Sequence, residues 1–380
     1  MKILIISRDF PNIVGGVSDY TYHLSKNLYK KGIDVYVLTS SDEKVIREIK
    51  GYDVKILPLI KRWGFLGIYE IVKEIEKINP EFIVLQYTPY MYSYYGIPFW
   101  LIFLYFKLKI KKFKICTNFH EISILINFGD FKHFGIAISQ RIVAYFISFL
   151  SDKIIVPIER WKKMLHFFKK KIEIIPVGSN VVPEKENLEI DSINKKDFLI
   201  IGSFGGANKA RRIDVHLKAV KILKEKGIKV KYIFIGNVPH YFKKIAKRLK
   251  IDAEFKGFLK NEEAYNVLKS FDFFIFFDKY SNKYEGGINL KSSSAVAAFS
   301  ANVPIISNYG FYTDKILKNL YIKSSPNPED ISNKIIECLN NPENIKKLKM
   351  KIFEFYKKNL RWEEISNRYL IFLREIKCQK

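Results

Sequence analysis

The stretch Tyr284-Glu-Gly-Gly-Ile-Asn-Leu-Lys291-Ser-Ser-Ser-Ala295-Val-Ala-Ala-Phe-Ser-Ala-Asn-Val-Pro304-Ile-Ile306 joins two apolar runs, 271–277 before it and 304–307 at its end. Both runs read as buried strands. Between them lies a loop with one acid, two glycines and one lysine, followed by three serines and a small-residue helix. A helix start offers unpaired N–H groups and a partial positive charge, so Lys291 with Ser292, Ser293 and Ser294 forms a candidate anion site, with phosphate the natural ligand. The same serines also fit a second reading, in which they cap a buried helix whose alanines face a sheet.

Working outward, short runs rich in Ile, Val and Phe alternate with longer stretches of helical period from the start to about residue 325. This alternation predicts parallel sheets with crossover helices. The first half has strands at 2–7, 34–39, 54–57, 82–86, 114–118, 153–157 and 173–176, with helices such as 18–31 and 137–150 between them. From 179 to 197 the apolar rhythm gives way to Pro, Glu, Asn and Lys, which marks a linker. Strands resume at 198–203, 231–235, 254–255, 271–277 and 304–307, with a helix at 213–226; the tail is helical at 328–339, 342–358 and 361–377.

The expectation is an α/β chain of two doubly wound, Rossmann-like domains facing a central cleft: 1–180, a linker at 181–197, and 198–345. The helices of 346–380 would pack back across both. A chain of 380 residues with 48% apolar content is large enough for two cores.

The formal charge of +26 favours anionic partners, although many lysines, such as Lys243, Lys244, Lys247 and Lys250, sit on helix faces that water would solvate. Three distant cysteines, Cys116, Cys338 and Cys378, frame neither disulfides nor a zinc site and point to a reducing, cytoplasmic setting. The opening Met1-Lys-Ile-Leu-Ile-Ile-Ser turns polar too early for a signal peptide. No run reaches transmembrane length. The nearest is 97–106, followed by Lys107, Lys109, Lys111 and Lys112. Residues 97–112 would either lie on an anionic membrane surface or form a buried helix ending in lysines.

Three loops at strand ends carry chemistry. After the first strand, Gly15-Gly16-Val17 precedes a helix and would let a backbone approach a ligand, without spelling the G-x-G-x-x-G fingerprint of NAD or FAD sites. A ligand-free tight turn is the alternative. After 114–118, His120 and Glu121 stand where ligands bind in such sheets, unless His120 is simply a surface residue. After 198–203, Gly205-Gly206-Ala-Asn-Lys209-Ala-Arg211-Arg212 offers cations at a helix start, a position unfavourable for them unless an anion is present. No D-x-D triplet or helically spaced histidine pair occurs, so no metal is expected. No helix-turn-helix or RNA-binding signature is present, so nucleic acid is not an expected partner.

Taken in order, these pieces resemble the retaining, two-domain glycosyltransferases of the GT-B fold, the group that includes glycogen synthase and sucrose synthase relatives. The likeness runs through Gly15-Gly16-Val17, His120, Ile175-Pro-Val-Gly178, Lys209, Ile233-Phe-Ile-Gly236, Phe255-Lys-Gly257 with Glu262-Glu263, and the opening stretch. It implies transfer of a sugar, with retention, from a nucleotide-diphosphate-sugar co-substrate to a glycan or lipid-linked acceptor, with no other cofactor and no metal. The resemblance makes His120, Lys209 and Glu285 catalytic. It places Gly15, Gly16, Gly205, Lys209, Arg212, Glu285, Gly287, Lys291 and Ser292 to Ser294 around the donor, with the acceptor held by the first domain. Two departures stand out. Many members carry two glutamates with seven residues between them; with Glu285 as the first, the second position holds Ser293, whereas a register without a second glutamate reads Gly287-Ile-Asn-Leu-Lys291-Ser-Ser-Ser294 directly. The arginine five residues before the lysine is Phe204 here, with Arg211 or Arg212 as its replacement. Two alternatives are a nucleotide-sugar epimerase and a degenerate relative that binds membrane or nucleic acid through its basic surface.

Overall fold

The computed structural model describes residues 1–13, 15–126, 128–182, 198–207, 209–279 and 285–376, leaving out the Lys209 side chain. The linker expected over 181–197 therefore lies almost wholly outside the described residues, as does Tyr284. The chain divides into two compact units, Met1–Pro176 with Trp362–Lys380, and Val177–Arg361.

The first unit is a seven-stranded sheet of β1 (Lys2–Ile6), β2 (Asp34–Ser40), β3 (Lys55–Ile60), β4 (Phe82–Tyr87), β5 (Ile115–Phe119), β6 (Lys153–Val156) and β7 (Ile172–Ile174). The strand order is β3-β2-β1-β4-β5-β6-β7, and every pairing is parallel. Its helices are α1 (Gly16–Tyr29), α2 (Ile68–Ile78), α3 (Pro89–Tyr92), α4 (Trp100–Ile110), α5 (Phe131–Leu150) and α6 (Glu159–Met164). Ile3, Leu4, Ile5 and Ile6 are all completely buried, which is why β1 reads as a continuous apolar run rather than an alternating one.

The second unit is a six-stranded parallel sheet of β8 (Leu199–Phe204), β9 (Val230–Ile235), β10 (Asp252–Gly257), β11 (Phe273–Phe276), β12 (Ile305–Ser307) and β13 (Ile322–Lys323). The order is β10-β9-β8-β11-β12-β13. Helices α7 (Ile213–Glu225), α8 (His240–Arg248), α9 (Asn261–Lys269), α10 (Ser293–Ser300), α11 (Pro328–Asn340) and α12 (Pro342–Asn359) accompany it. Its core gathers Ile201, Leu217, Val220, Tyr232, Phe234, Phe273 and Ile275. The two doubly wound sheets are those expected from the sequence, with β13 added at the edge of the second as a two-residue strand too short to read as an apolar run.

The C-terminal helices divide between the units. Helix α12 packs on α10 and α11, whereas α13 (Trp362–Arg374) lies on α1. There the Trp362 ring stacks on His23 at 5.2 Å, and the hydroxyls of Tyr20 and Tyr369 share a hydrogen bond of 2.9 Å.

One expectation needs correcting. The longest apolar helix is not at 97–106 but α5, whose 20 residues are long and apolar enough to cross a membrane. The interruptions at Gly135, Gln140 and Arg141 hide it in a scan for continuous apolar runs. A third of that window is buried, with Ala137, Val143, Ala144 and Ile147 turned inward.

Candidate functional site

In a doubly wound sheet the crevice for ligands opens at the strand C-termini where the order reverses direction. In the first sheet that point lies between β1 and β4, and in the second between β8 and β11. Most of the residues singled out in the sequence fall at these two places.

At the second switch point, β8 ends at Phe204 and the chain turns through Gly205 with φ of 115°, a conformation that favours glycine. A Cβ on Gly205 would lie 2.5 Å from Ser294 Oγ, so the turn and the start of α10 approach too closely for any side chain. Arg211 donates from Nη2 to that same Ser294 Oγ at 3.2 Å, and its guanidinium stacks on the Phe276 ring at 4.9 Å. Burial holds its pKa below the ordinary arginine value, an effect that Asp278 partly offsets. Arg212, in left-handed backbone just before α7, donates from Nη1 to Glu285 Oε1 at 2.9 Å. The backbone of Lys209 opens the short 3-10 turn that ends at Arg211. Its side chain, on which the resemblance places the leaving-group charge, lies outside the described residues.

The loop before α10 is braced by residues that the sequence reading did not single out. Gly287 has φ of 72°, and a Cβ there would sit 2.3 Å from the Gly310 nitrogen and 2.5 Å from Thr313 Oγ1. Phe311 N donates to Glu285 O at 2.8 Å, and Tyr312 N to Gly286 O at 2.9 Å. The segment after β12 thus presses the Glu285 loop toward the arginines. Its sequence signal was faint: a Ser-Asn-Tyr-Gly turn after a short apolar strand. Asn289 Nδ2 closes the loop onto Gly287 O at 2.9 Å. Lys291 Nζ lies 3.9 Å from the centre of the Tyr312 ring, a cation–π contact that holds the ammonium beside the start of α10.

Ser292 occupies the N-cap of α10, yet no side-chain cap bond forms. Its hydroxyl is buried without a partner among the described residues, as is Glu285 Oε2. Buried polar atoms of this kind are costly unless something else satisfies them. Ser293 starts the helix, and Ser294 is buried with its hydroxyl accepting from Arg211. Gly205, Arg212, Glu285, Gly287, Lys291 and the three serines are therefore brought together within one unit, and Arg211 joins them.

At the first switch point, α1 begins at Gly16 immediately after Gly15. Among the described residues, a Cβ built on Gly16 meets nothing within 4 Å. His120 follows β5, with its Nε2 2.7 Å from Gln86 Oε1 and its ring edge-on to Tyr20 at 4.7 Å. Asn118 Nδ2 donates to the same Gln86 oxygen at 2.8 Å and also lies 3.2 Å from His120 Nε2, so the three polar groups form one cluster. Although the rim of His120 stays accessible, desolvation of the ring pushes its pKa down to about 3, so it is neutral. Gln86 Nε2 is buried without a partner among the described residues. Gln86 and Asn118 were legible only as polar residues closing otherwise apolar strands. Arg8, after β1, is turned to Met91 O at 2.7 Å and toward Asp9 at 3.9 Å.

Comparison with known proteins agrees with this anatomy. Residues 184–354 match the model described as glycosyl transferases group 1, and residues 14–181 match glycosyltransferase family 4, so the two models together span most of the chain. No curated protein sequence matches. The fold is similar to that of a glycosyltransferase from Rickettsia africae ESF-5, with 14% identity, a TM-score of 0.70, and coverage of 100% of this chain and 99% of that one. It is also similar to WaaG, a glycosyltransferase involved in lipopolysaccharide biosynthesis, with 11% identity, TM-score 0.63 and 99% of each chain covered. A third likeness is to the UDP-GlcNAc 2-epimerase from Neisseria meningitidis bound to UDP-GlcNAc, with 11% identity, TM-score 0.60, and coverage of 99% and 100%. With two doubly wound sheets and both halves matched in order, the chain belongs to the group 1 glycosyltransferases of the GT-B fold.

Proposed function

We propose that the chain transfers a sugar from a nucleotide-diphosphate sugar to a glycan or lipid-linked acceptor, with retention of configuration and without a metal. The observation that carries this reading is the cation cluster of the second unit. Arg211 and Lys291 stand at the start of α10, where the buried Ser292 hydroxyl lacks a partner among the described residues, and Arg212 reaches Glu285 in the loop that leads into that helix. Cations at a helix N-terminus oppose the helix dipole unless an anion sits between them.

Departure of a nucleoside diphosphate builds negative charge on phosphate oxygens, and fixed guanidinium, ammonium and N–H groups stabilise that charge without reorganising. Arg211 takes the place of the arginine that Phe204 lacks, and Lys209 contributes the second cation. Arg212 holds Glu285 by one oxygen, leaving Oε2 to accept from a donor-sugar hydroxyl. The first unit holds the acceptor, with His120 as a neutral hydrogen-bonding group at its switch point. The structural likeness to an epimerase that binds UDP-GlcNAc supports a uridine nucleotide as the first donor to try.

Titration calorimetry with UDP-, GDP- and ADP-sugars tests the donor site, and no heat from any of them would overturn the reading. A chelator should leave turnover unchanged, and the anomeric proton of the product should keep the donor configuration by NMR. Incubating donor without acceptor separates transfer from the second reading: a transferase returns the donor or its slow hydrolysis product, an epimerase a new sugar.

A further inference from the structure

Helix α4 packs between α2 and α5 in the first unit, and each of its two sides is apolar. Trp100, Leu101, Leu104, Tyr105 and Leu108 are buried. Phe99, Phe103, Phe106 and Ile110 follow at helical spacing along the other side, and all four are between 43 and 65% exposed. Helix α5 repeats the pattern with Ile142, Tyr145, Phe146 and Phe149, exposed over the same range. The Phe65 ring, before α2, meets Phe103 at 5.3 Å, and extends the surface toward exposed Leu66 and Tyr69. Scattered exposed apolar residues are ordinary, but two neighbouring helices with parallel aromatic stripes form a patch that marks an interaction surface.

The charges around the patch say what covers it. Neither α4 nor α5 contains an acid, and between residues 82 and 151 Glu121 and Asp130 are the only two. Asp130 is engaged by His133. Lys109 pairs with Asp152 at 2.7 Å and Lys111 pairs with Glu76, whereas exposed Lys107, Lys112 and Lys132 have no ion pair among the described residues. A second copy docking by the same patch would set the unpaired lysines of the two rims against each other, since Asp152 and Glu76 are already engaged by Lys109 and Lys111. An anionic lipid surface meets both demands, because phosphates take the lysines while rings enter the boundary between headgroups and acyl chains.

Length sets the geometry. The 11 residues of α4 extend roughly 16 Å, short of the roughly 30 Å hydrocarbon core. Helix α5 is long enough, but Ala137, Val143, Ala144 and Ile147 are held against the protein core, so it too lies in the plane. We propose that the α4–α5 face is a membrane-docking surface for anionic bilayers, with the Phe99–Phe103–Phe106–Ile110 and Ile142–Phe146–Phe149 stripes as its apolar contact. This assignment is independent of the donor reading.

The test is co-sedimentation of the full chain with vesicles of phosphatidylcholine alone and of equal parts phosphatidylcholine and phosphatidylglycerol, with oligomeric state followed by light scattering. The wild-type chain should bind the mixed vesicles about tenfold more tightly than the neutral ones. The triple variant Phe103→Ser, Phe106→Ser, Phe149→Ser should lose at least about tenfold in binding, since each ring contributes its own burial. Lys107→Glu with Lys112→Glu should abolish the preference for anionic lipid. All five positions face solvent, and an unchanged melting temperature and UDP affinity in each variant show that fold and donor site persist. A wild-type chain that stays in the supernatant with both vesicles overturns the proposal. So does an aromatic variant that sediments like wild type, or a dimer that the aromatic variant dissolves while no vesicle is bound.

Discussion

The two sheets share an architecture and differ in what they set at its functional edge. Each reverses direction beside its first strand, each follows that strand with a glycine pair, and each opens a crevice at the strand C-termini. In the second unit that crevice holds two guanidinium groups, an ammonium and a carboxylate held by one oxygen. In the first it holds a neutral imidazole bonded to a buried amide, while Arg8 and Asp9 offset each other nearby. Topology builds the place for a ligand, and the residues at the strand ends decide its charge. On charge alone the second crevice suits an anionic ligand and the first a neutral, hydroxyl-bearing one, as the proposed function requires.

The comparison breaks first at the braced loop of the second unit. Gly287→Ala forces a side chain into left-handed backbone and against the Gly310 nitrogen 2.3 Å away. It should cost about 3–4 kcal/mol in chemical denaturation and abolish donor binding. Next in size, Arg211→Ala should weaken UDP binding about a hundredfold by calorimetry, the loss of one charge-assisted contact to phosphate. Arg211→Lys should recover only part of it, because an ammonium cannot serve Ser294 and a phosphate in one plane.

Acid distinguishes the units less sharply, because each holds a neutral, desolvated histidine. His216 sits in the second core, with Nδ1 3.1 Å from Tyr232 Oη and 3.2 Å from Ser203 Oγ, and burial pushes its pKa down to about 3. The unfolded chain takes up that proton near the ordinary histidine value and the folded one does not, so stability falls as pH drops below about 6.5. Between pH 7 and pH 5 this group alone should account for about 2 kcal/mol, and His216→Asn should flatten that part of the stability–pH curve. His120→Ala should leave UDP affinity within about twofold while turnover falls, since its partners all lie in the first unit. A large loss of UDP affinity in that variant would move the donor site.

Both doubly wound domains were readable from residue order alone, because parallel strands buried on two faces must be apolar throughout and their crossovers must have helical period. Glycines at 205 and 287, the basic turn before α7 and the serines before α10 were readable for the same reason, since each lies in a loop directly after a strand. Partnership was not. That Arg211 serves Ser294 while Arg212 serves Glu285, that the 308–313 segment braces Gly287, and that Gln86 holds His120 all join residues far apart in the chain. The same holds for the aromatic stripes of α4 and α5. Composition shows that these helices are apolar on every side, and only packing against the sheet selects which rings are left facing solvent.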